Sequence, residues 1–274
     1  MKASFRRSLN ITVLAIIVVL FFVACEDVQE RQIILAPESV DASDGEFSDA
    51  IQIRWNKVAG ASTYIIYRQD VAGDDYKRIG ETAENLFRDT YVNEPGVDYY
   101  YKIRTSGQGN FSSYSNPDRG FVKVQYPLNL SATKGEYAGK IILNWGVPSG
   151  YKQKSGVYFE LYKSKKAGGA FLDDPILIND PSQIIFTDTI AASETGTIFY
   201  YTMRSFAGSH YSEYSQVDSG WSKITSPSRV VASKADFTDE ISVQWSELKN
   251  ITGIKIYRKV EGGTLWEGYK ELGC

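Results

Sequence analysis

Three segments of the chain run from a proline to a tryptophan over the same length without a gap. They are PESVDASDGEFSDAIQIRW (37–55), PLNLSATKGEYAGKIILNW (127–145) and PSRVVASKADFTDEISVQW (227–245). Each carries Ala followed by Ser or Thr near its middle, then an acid and an aromatic. Each closes on strict alternation: Ile51, Ile53, Trp55; Ile141, Leu143, Trp145; Ile241, Val243, Trp245. Apolar residues at every second position place one side of the segment in a core, so each is a half-buried strand. A second alternating run follows each tryptophan, YIIYR (64–68), FELYK (159–163) and IKIYR (254–258).

The correspondence continues in the first two units. FRDT (87–90) matches FTDT (186–189), and YYYKIR (99–104) matches FYYTMR (199–204). YSNPDRGF (114–121) matches YSQVDSGW (214–221), one hundred residues later. The period is therefore about 90–100 residues, with about seven short strands per unit, which predicts a two-sheet antiparallel sandwich. A proline-led first strand, a tryptophan closing the second, a Y-x-Y-x-I sixth strand and a following S-x-Y-S resemble the fibronectin type III family. Trp55, Gly60, Ala61, Tyr64, Ile66, Tyr67 and Arg68 look like the bacterial form of that family. The resemblance implies an all-β chain of tandem immunoglobulin-like sandwiches at 36–124 and 126–224, with an incomplete third at 226–274. It implies that Trp55 and Trp145 plug the two sheets together. It also puts Tyr99 at a tyrosine corner that Phe199 lacks, so a less firmly tied corner is expected in the second unit.

Repeat three holds the proline strand, Trp245, IKIYR and LWEGYK (265–270), without the last three strands. That leaves two readings, a shortened chain or completion by strands from a partner or a second copy, in which Cys274 could report dimerisation. Repeat two is longer than repeat one. Fourteen steps separate Trp145 from Phe159, against nine from Trp55 to Tyr64, and the excess lies in PSGYKQKSG (148–156). In such sandwiches this loop shares one end with the loop between the sixth and seventh strands. Tyr151, Lys152 and Lys154 are therefore expected near His210 and Tyr211, as an aromatic and basic rim able to contact a ligand, or else as a tolerated surface insertion. Tyr100, Tyr114, Tyr200 and Tyr214 read as ordinary strand formers; Tyr100 and Tyr200 point outward if their neighbours point in, and outward tyrosines on an exposed face could also stack on sugars or bind proteins.

The N-terminus reads MKASFRRSLNITVLAIIVVLFFVAC. Lys2, Arg6 and Arg7 precede an almost wholly apolar run over 11–24, which on a helix reaches about 21 Å against a ~30 Å hydrocarbon core. That is the form of an export signal rather than a span. FVAC (22–25) resembles a bacterial lipobox, with Phe22 where the family usually has Leu. The resemblance implies a signal peptide at 1–24, lipid on Cys25 as the mature N-terminus, a short tether over 25–35 and residence in the bacterial cell envelope.

Removing Lys2, Arg6 and Arg7 from the 30 basic residues leaves 27 against 33 acidic ones, a balance poorly suited to nucleic acid. Cys25 and Cys274 sit near opposite ends and define no disulfide framework. No nucleophile elbow, zinc-protease helix, phosphate loop or paired CxxC occurs, and one histidine, His210, is too few for a histidine cluster. DASDGE (41–46) has calcium-loop spacing, but its counterparts carry lysine in place of Asp44, so it reads as a turn. The acid pairs Asp74–Asp75 and Asp173–Asp174 read as solvated turns. The expected function is a lipid-anchored binding, adhesion or spacer protein without cofactor, metal or catalytic residues, its partners the membrane and a protein or glycan. The alternative is the non-catalytic accessory region of a truncated cell-surface enzyme.

Overall fold

A computed structural model describes residues 33–273 other than 71, 93, 153, 169, 170, 172, 173, 235, 237 and 250. The leader, Cys25, most of the tether and Cys274 lie outside the described residues, and Asp173 does as well.

Module one contains β1 (Val40–Ala42), β2 (Ile51–Trp55), β3 (Thr63–Gln69), β4 (Lys77–Thr82), β5 (Leu86–Asp89), β6 (Tyr99–Gly107), β7 (Asn110–Tyr114) and β8 (Asp118–Gly120). One sheet runs β1-β2-β5; the other runs β4-β3-β6-β7, with β8 also on β6. All pairings are antiparallel. Module two repeats this with β9 (Leu128–Ala132), β10 (Lys140–Gly146), β11 (Val157–Ser164), β12 (Ile176–Ile178), β13 (Ile185–Thr189), β14 (Phe199–Ala207), β15 (His210–Tyr211) and β16 (Asp218–Gly220). Its sheets run β9-β10-β13 and β12-β11-β14-β15, with β16 on β14. Module three has β17 (Val230–Ala232) on β18 (Val243–Trp245), and β19 (Gly253–Arg258) on β20 (Glu267–Gly273).

The alternation puts the expected residues inside. Ile51, Ile53, Ile66, Tyr101 and Ile103 are fully enclosed in module one, as are Ile141, Leu143, Phe159, Leu161 and Met203 in module two. Trp55 and Trp145 lie in these two cores.

The recurring short motifs are hydrogen-bond devices. The Ser or Thr after Ala leaves the first strand and accepts a bond from the second: Ser43 Oγ from the Gln52 N–H, Thr133 Oγ1 from Ile142 and Ser233 Oγ from Ser242, each at 2.9 Å. DASDGE is thus a turn, with the Gly45 N–H bound to the Phe121 carbonyl. The last strand is broken in two, giving eight strands where seven were expected. Serines patch the break: Ser112 and Ser115 accept the Thr105 and Ile103 N–H groups, and Ser212 and Ser215 accept those of Ser205 and Met203. The Asp of PDRG and VDSG then ties the final strand to the first, Asp118 accepting the Ala42 N–H and Asp218 that of Ala132, both at 2.8 Å. Burial raises the Asp218 carboxyl, but the Ala132 N–H and the Lys134 ammonium outweigh it and hold the group below the usual carboxylate range.

The corner expectation is corrected. The tyrosine that bonds to its neighbourhood is two residues beyond Tyr99, and it exists in both modules. Tyr101 donates to Asp89 at 3.1 Å and Tyr201 to Asp188 at 2.5 Å. Phe199 therefore does not deprive module two of its tie. Each carboxylate also meets a cation, Arg68 on Asp89 and Lys163 on Asp188, both at 2.7 Å. This is what the Asp of FRDT and FTDT does. Burial, with the Asp89 charge beside it, pushes the Tyr101 phenol far above its ordinary value and keeps it a donor.

Candidate contact surfaces

Three of the five expected rim residues, Tyr151, Lys154 and His210, are not on a free surface. Tyr151 is 3% exposed and belongs to the core of module two. Its hydroxyl accepts the Gln125 N–H at 2.6 Å, so the inserted loop clamps the connection between modules. The reason is the turn at 148–154, in which the Tyr151 N–H binds the Pro148 carbonyl and the Lys154 N–H binds the Tyr151 carbonyl, folding the ring inward. Tyr151 is thereby withdrawn as a ligand contact, and the insertion is structural rather than ornamental.

Lys154 and His210 face module one. Lys154 Nζ meets Glu94 at 2.7 Å, and His210 Nε2 lies 2.7 Å from an Asp98 oxygen. The imidazole stacks on Phe121 with ring centroids 3.7 Å apart and planes 11° from parallel. The Arg119 guanidinium lies over the other partner of that stack, 5.5 Å from the Phe121 centroid, and reaches Asp44 at 3.4 Å. Between these polar contacts two glycines meet backbone to backbone. A Cβ on Gly208 would stand 2.0 Å from the Gly96 oxygen, and both residues have positive φ, +61° and +74°. No other residue fits at either position.

Both ends of this joint are already packed. Val122 lies in the core of module one and Val124 in that of module two, while the Lys123 N–H between them binds the Phe47 carbonyl. Ile34, expected in the tether, is buried at the opposite end of module one against Gly60 and Gly107. Lys152 and Tyr211 of the expected set are exposed. The joint predicts a measurable coupling. His210→Ala removes a stack worth about 0.5–1.5 kcal/mol and a bond to a charged group worth about 1.5–3 kcal/mol. It is expected to leave each module folded while broadening the inter-module distance distribution in small-angle scattering. Gly208→Val should do so more strongly, and an unchanged distribution in both would refute the joint.

The second surface was only half legible. On the outer face of the β3–β6–β7 sheet, Arg104 lies 5.0 Å from the Phe111 ring centroid and 5.4 Å from that of Tyr114, which meets Tyr67 edge-on at 5.1 Å. Module two builds the same cluster from Arg204, Tyr211, Tyr214 and Tyr162, with Arg204 at 3.9 Å from Tyr211. Buried Glu160 holds that guanidinium at 2.6 Å and takes a bond from the Tyr162 hydroxyl. Phe111, Tyr114, Tyr211 and Tyr214 are about half exposed. Tyr114 and Tyr214 recur in the sequence as the tyrosines that open YSNPDRGF and YSQVDSGW. The two arginines were not singled out, although KIR and TMR end on them at the same register.

The third surface is the inner face of module three. Pro227, Val230, Val243, Trp245, Ile254 and Trp266 line an open groove of about 480 Å³. Trp245 is only half-buried there, where Trp55 and Trp145 are enclosed. Among the described residues no three His, Cys, Asp or Glu side chains converge as a metal site, and no helix is long and apolar enough to cross a membrane.

A two-domain fibronectin type III segment of chicken tenascin superposes on the chain with a TM-score of 0.50 at 14% identity, covering 67% of this chain and 98% of that one. The first two modules are fibronectin type III-like sandwiches. The FN1–FN3 domains of chicken CNTN1 match at 13% identity over 88% of each chain, with a TM-score of 0.32. An Fn3-like protein from Clostridium thermocellum matches at 22% identity over 35% of this chain and 100% of its own, with a TM-score of 0.31. No protein-family model and no curated protein matches the chain. At these identities the likeness is one of fold, and function rests on the surfaces of the fibronectin type III-like modules themselves.

Proposed function

We propose that the chain is a lipid-anchored, extracytoplasmic spacer and binding protein of the bacterial cell envelope, and not an enzyme. The observation that carries this reading is the joint between the first two modules. Its glycine contact, its ion pairs and the clamp of Tyr151 engage the facing loops of the two modules and join the two sandwiches. A unit of that kind holds a surface at a distance from its point of attachment. The single histidine is engaged by Asp98 and Phe121 rather than by a cleft. Contact with a protein or glycan then falls to the lateral arginine–aromatic clusters, repeated once per module.

Attachment is through Cys25, supported by the apolar run that ends on it and the polar residues that begin after it. Cells given a palmitate analogue should label the wild-type chain and not Cys25→Ala, a loss to background. Equal labelling of the two would reject the anchor. A glycan and protein binding screen on the chain and on Arg104→Ala/Arg204→Ala tests the lateral face, since binding unaffected by the double substitution would place it elsewhere.

A further inference from the structure

We infer that the outer face of module one holds a binding site for an acidic polysaccharide, a chain of uronate sugars, centred on Arg104. The inference rests on the lateral arginine–aromatic clusters being contact surfaces, and it names which of the two is open and what it takes. The clusters are built from corresponding residues. Arg104 matches Arg204, Phe111 matches Tyr211, Tyr114 matches Tyr214 and Tyr67 matches Tyr162. Tyr67 meets Tyr114 edge-on at 5.1 Å, and Tyr162 meets Tyr214 edge-on at 5.4 Å.

One position gives the two clusters different charge. Across the strand pair Arg204 faces Glu160, whereas Arg104 faces Ile65. In module two the buried Glu160 carboxylate accepts from the Arg204 Nε and from the Tyr162 hydroxyl, each at 2.6 Å. That cluster is neutralised by its own acid. In module one Ile65 is buried, and the Arg104 Nε turns to a neutral acceptor, the Ser112 carbonyl, at 2.6 Å. Among the described residues no carboxylate stands beside Arg104 as Glu160 stands beside Arg204. Glu81, across from Ile65 on β4, is held by Arg78 at 2.5 Å and by the Thr63 hydroxyl at 2.7 Å. A guanidinium has five N–H donors in a planar fork. Arg104 gives one to Ser112 and one to the Tyr67 hydroxyl, which leaves enough for a bidentate carboxylate. Module two thus shows what this pairing of guanidinium and phenol accepts, and in module one the acid has to come from outside.

The surroundings select a sugar acid. Phe111 and Tyr114 flank the guanidinium and are about half exposed. A pyranose ring lying on either of them brings its carboxylate to Arg104. The exposed parts of the two rings come to about 200 Å², taking ~150–250 Å² for a whole aromatic side chain. That is a fraction of the roughly 800 Å² that a stable protein interface takes from each partner, and it suits a sugar. Lys102 stands on the same face of β6 two residues along, about 7 Å away at ~3.4 Å per residue, with its ammonium 4.1 Å from the Tyr76 ring centroid. A second cation over a second ring fits a polymer that carries an acid on each unit. Module two has buried Thr202 at that position.

Calorimetric titration of the full chain in detergent with a galacturonate oligomer tests this. One saturable site per chain is expected, weakened by salt, and the methyl ester of the same oligomer should not bind. Arg104→Gln should weaken binding at least about tenfold, the loss of a hydrogen bond to a charged group, and Phe111→Ala should weaken it less. Ile65→Glu gives module one the acid of module two and should abolish binding while the module stays folded. Glu160→Ile frees Arg204 and should add a second, weaker site. No binding of the oligomer overturns the inference, and the lateral contact reading survives that result if a partner found by screening still depends on Arg104 and Arg204. Binding that Arg104→Gln and Ile65→Glu leave unchanged overturns both. Equal binding of the methyl ester removes the role of charge, and equal binding of polyglutamate removes that of the sugar; either overturns the inference.

Discussion

Trp55→Ala is expected to lower the melting transition of the first module by more than about 12 °C, while Trp266→Ala leaves that transition in place. Trp55 is 4% exposed, and its indole meets Tyr64 edge-on at 5.3 Å between the two sheets. Truncating a buried Trp typically costs about 3–5 kcal/mol, and each kcal/mol moves the transition of a module this size by roughly 4–8 °C. The contribution is one of packing, because the indole nitrogen of Trp55 is buried without a hydrogen-bond partner among the described residues. Trp55→Phe should therefore recover much of the loss, since it keeps an aromatic ring and removes the unpaired N–H. Trp266 is two-thirds exposed and lies in the third module, outside the core that Trp55 serves. Scanning calorimetry of the full chain reads both transitions, and equal losses from the two alanine variants would contradict the core assignment.

Asp89→Ala is the second large effect, expected at about 3–5 kcal/mol in the first module. The carboxylate is 1% exposed and accepts from the Tyr101 hydroxyl and the Tyr91 N–H while pairing with Arg68. Its removal leaves a buried phenol without an acceptor. Asp70, at 2.5 Å from the Arg68 Nε, keeps that guanidinium partly compensated, which places the result toward the lower end of the range. Tyr101→Phe deletes one hydrogen bond and leaves the ion pair, so it should cost only about 1 kcal/mol. Urea denaturation of the three proteins orders them. A Tyr101→Phe loss as large as that of Asp89→Ala would mean that the hydroxyl, not the charge, organises the corner. The corresponding Asp188, Tyr201 and Lys163 should behave alike in module two.

These two predictions rest on parts of the molecule with different visibility in the sequence. Alternation at Ile51, Ile53 and Trp55 is a local signal, because a strand with one face in a core must repeat every two residues. The repeat of that signal three times points to the fold class and to the alternating residues at the centre of both cores. The Asp of FRDT was visible as a recurrence but its role was not, since its partners Arg68 and Tyr101 lie 21 and 12 residues away and join it only when two sheets close. The tyrosine corner was misplaced by two residues for the same reason. Tyr99 and Tyr101 share a face, and only the packing of β5 decides which of them reaches Asp89.

The contact residues show the limit most clearly. The sequence placed Tyr151, Lys154 and His210 at one end of module two by loop topology alone, and topology cannot say what covers that end. A single one-residue connection, Lys123 between two buried valines, brings module one onto it, and the space left between the backbones admits only Gly96 against Gly208. The alternating strands at Ile51, Ile53, Trp55 and at Ile141, Leu143, Trp145 follow from periodicity and are read directly from the sequence. Which loops are free and which carboxylate meets which cation depend on how separate surfaces meet, and that was decided only by the tertiary structure.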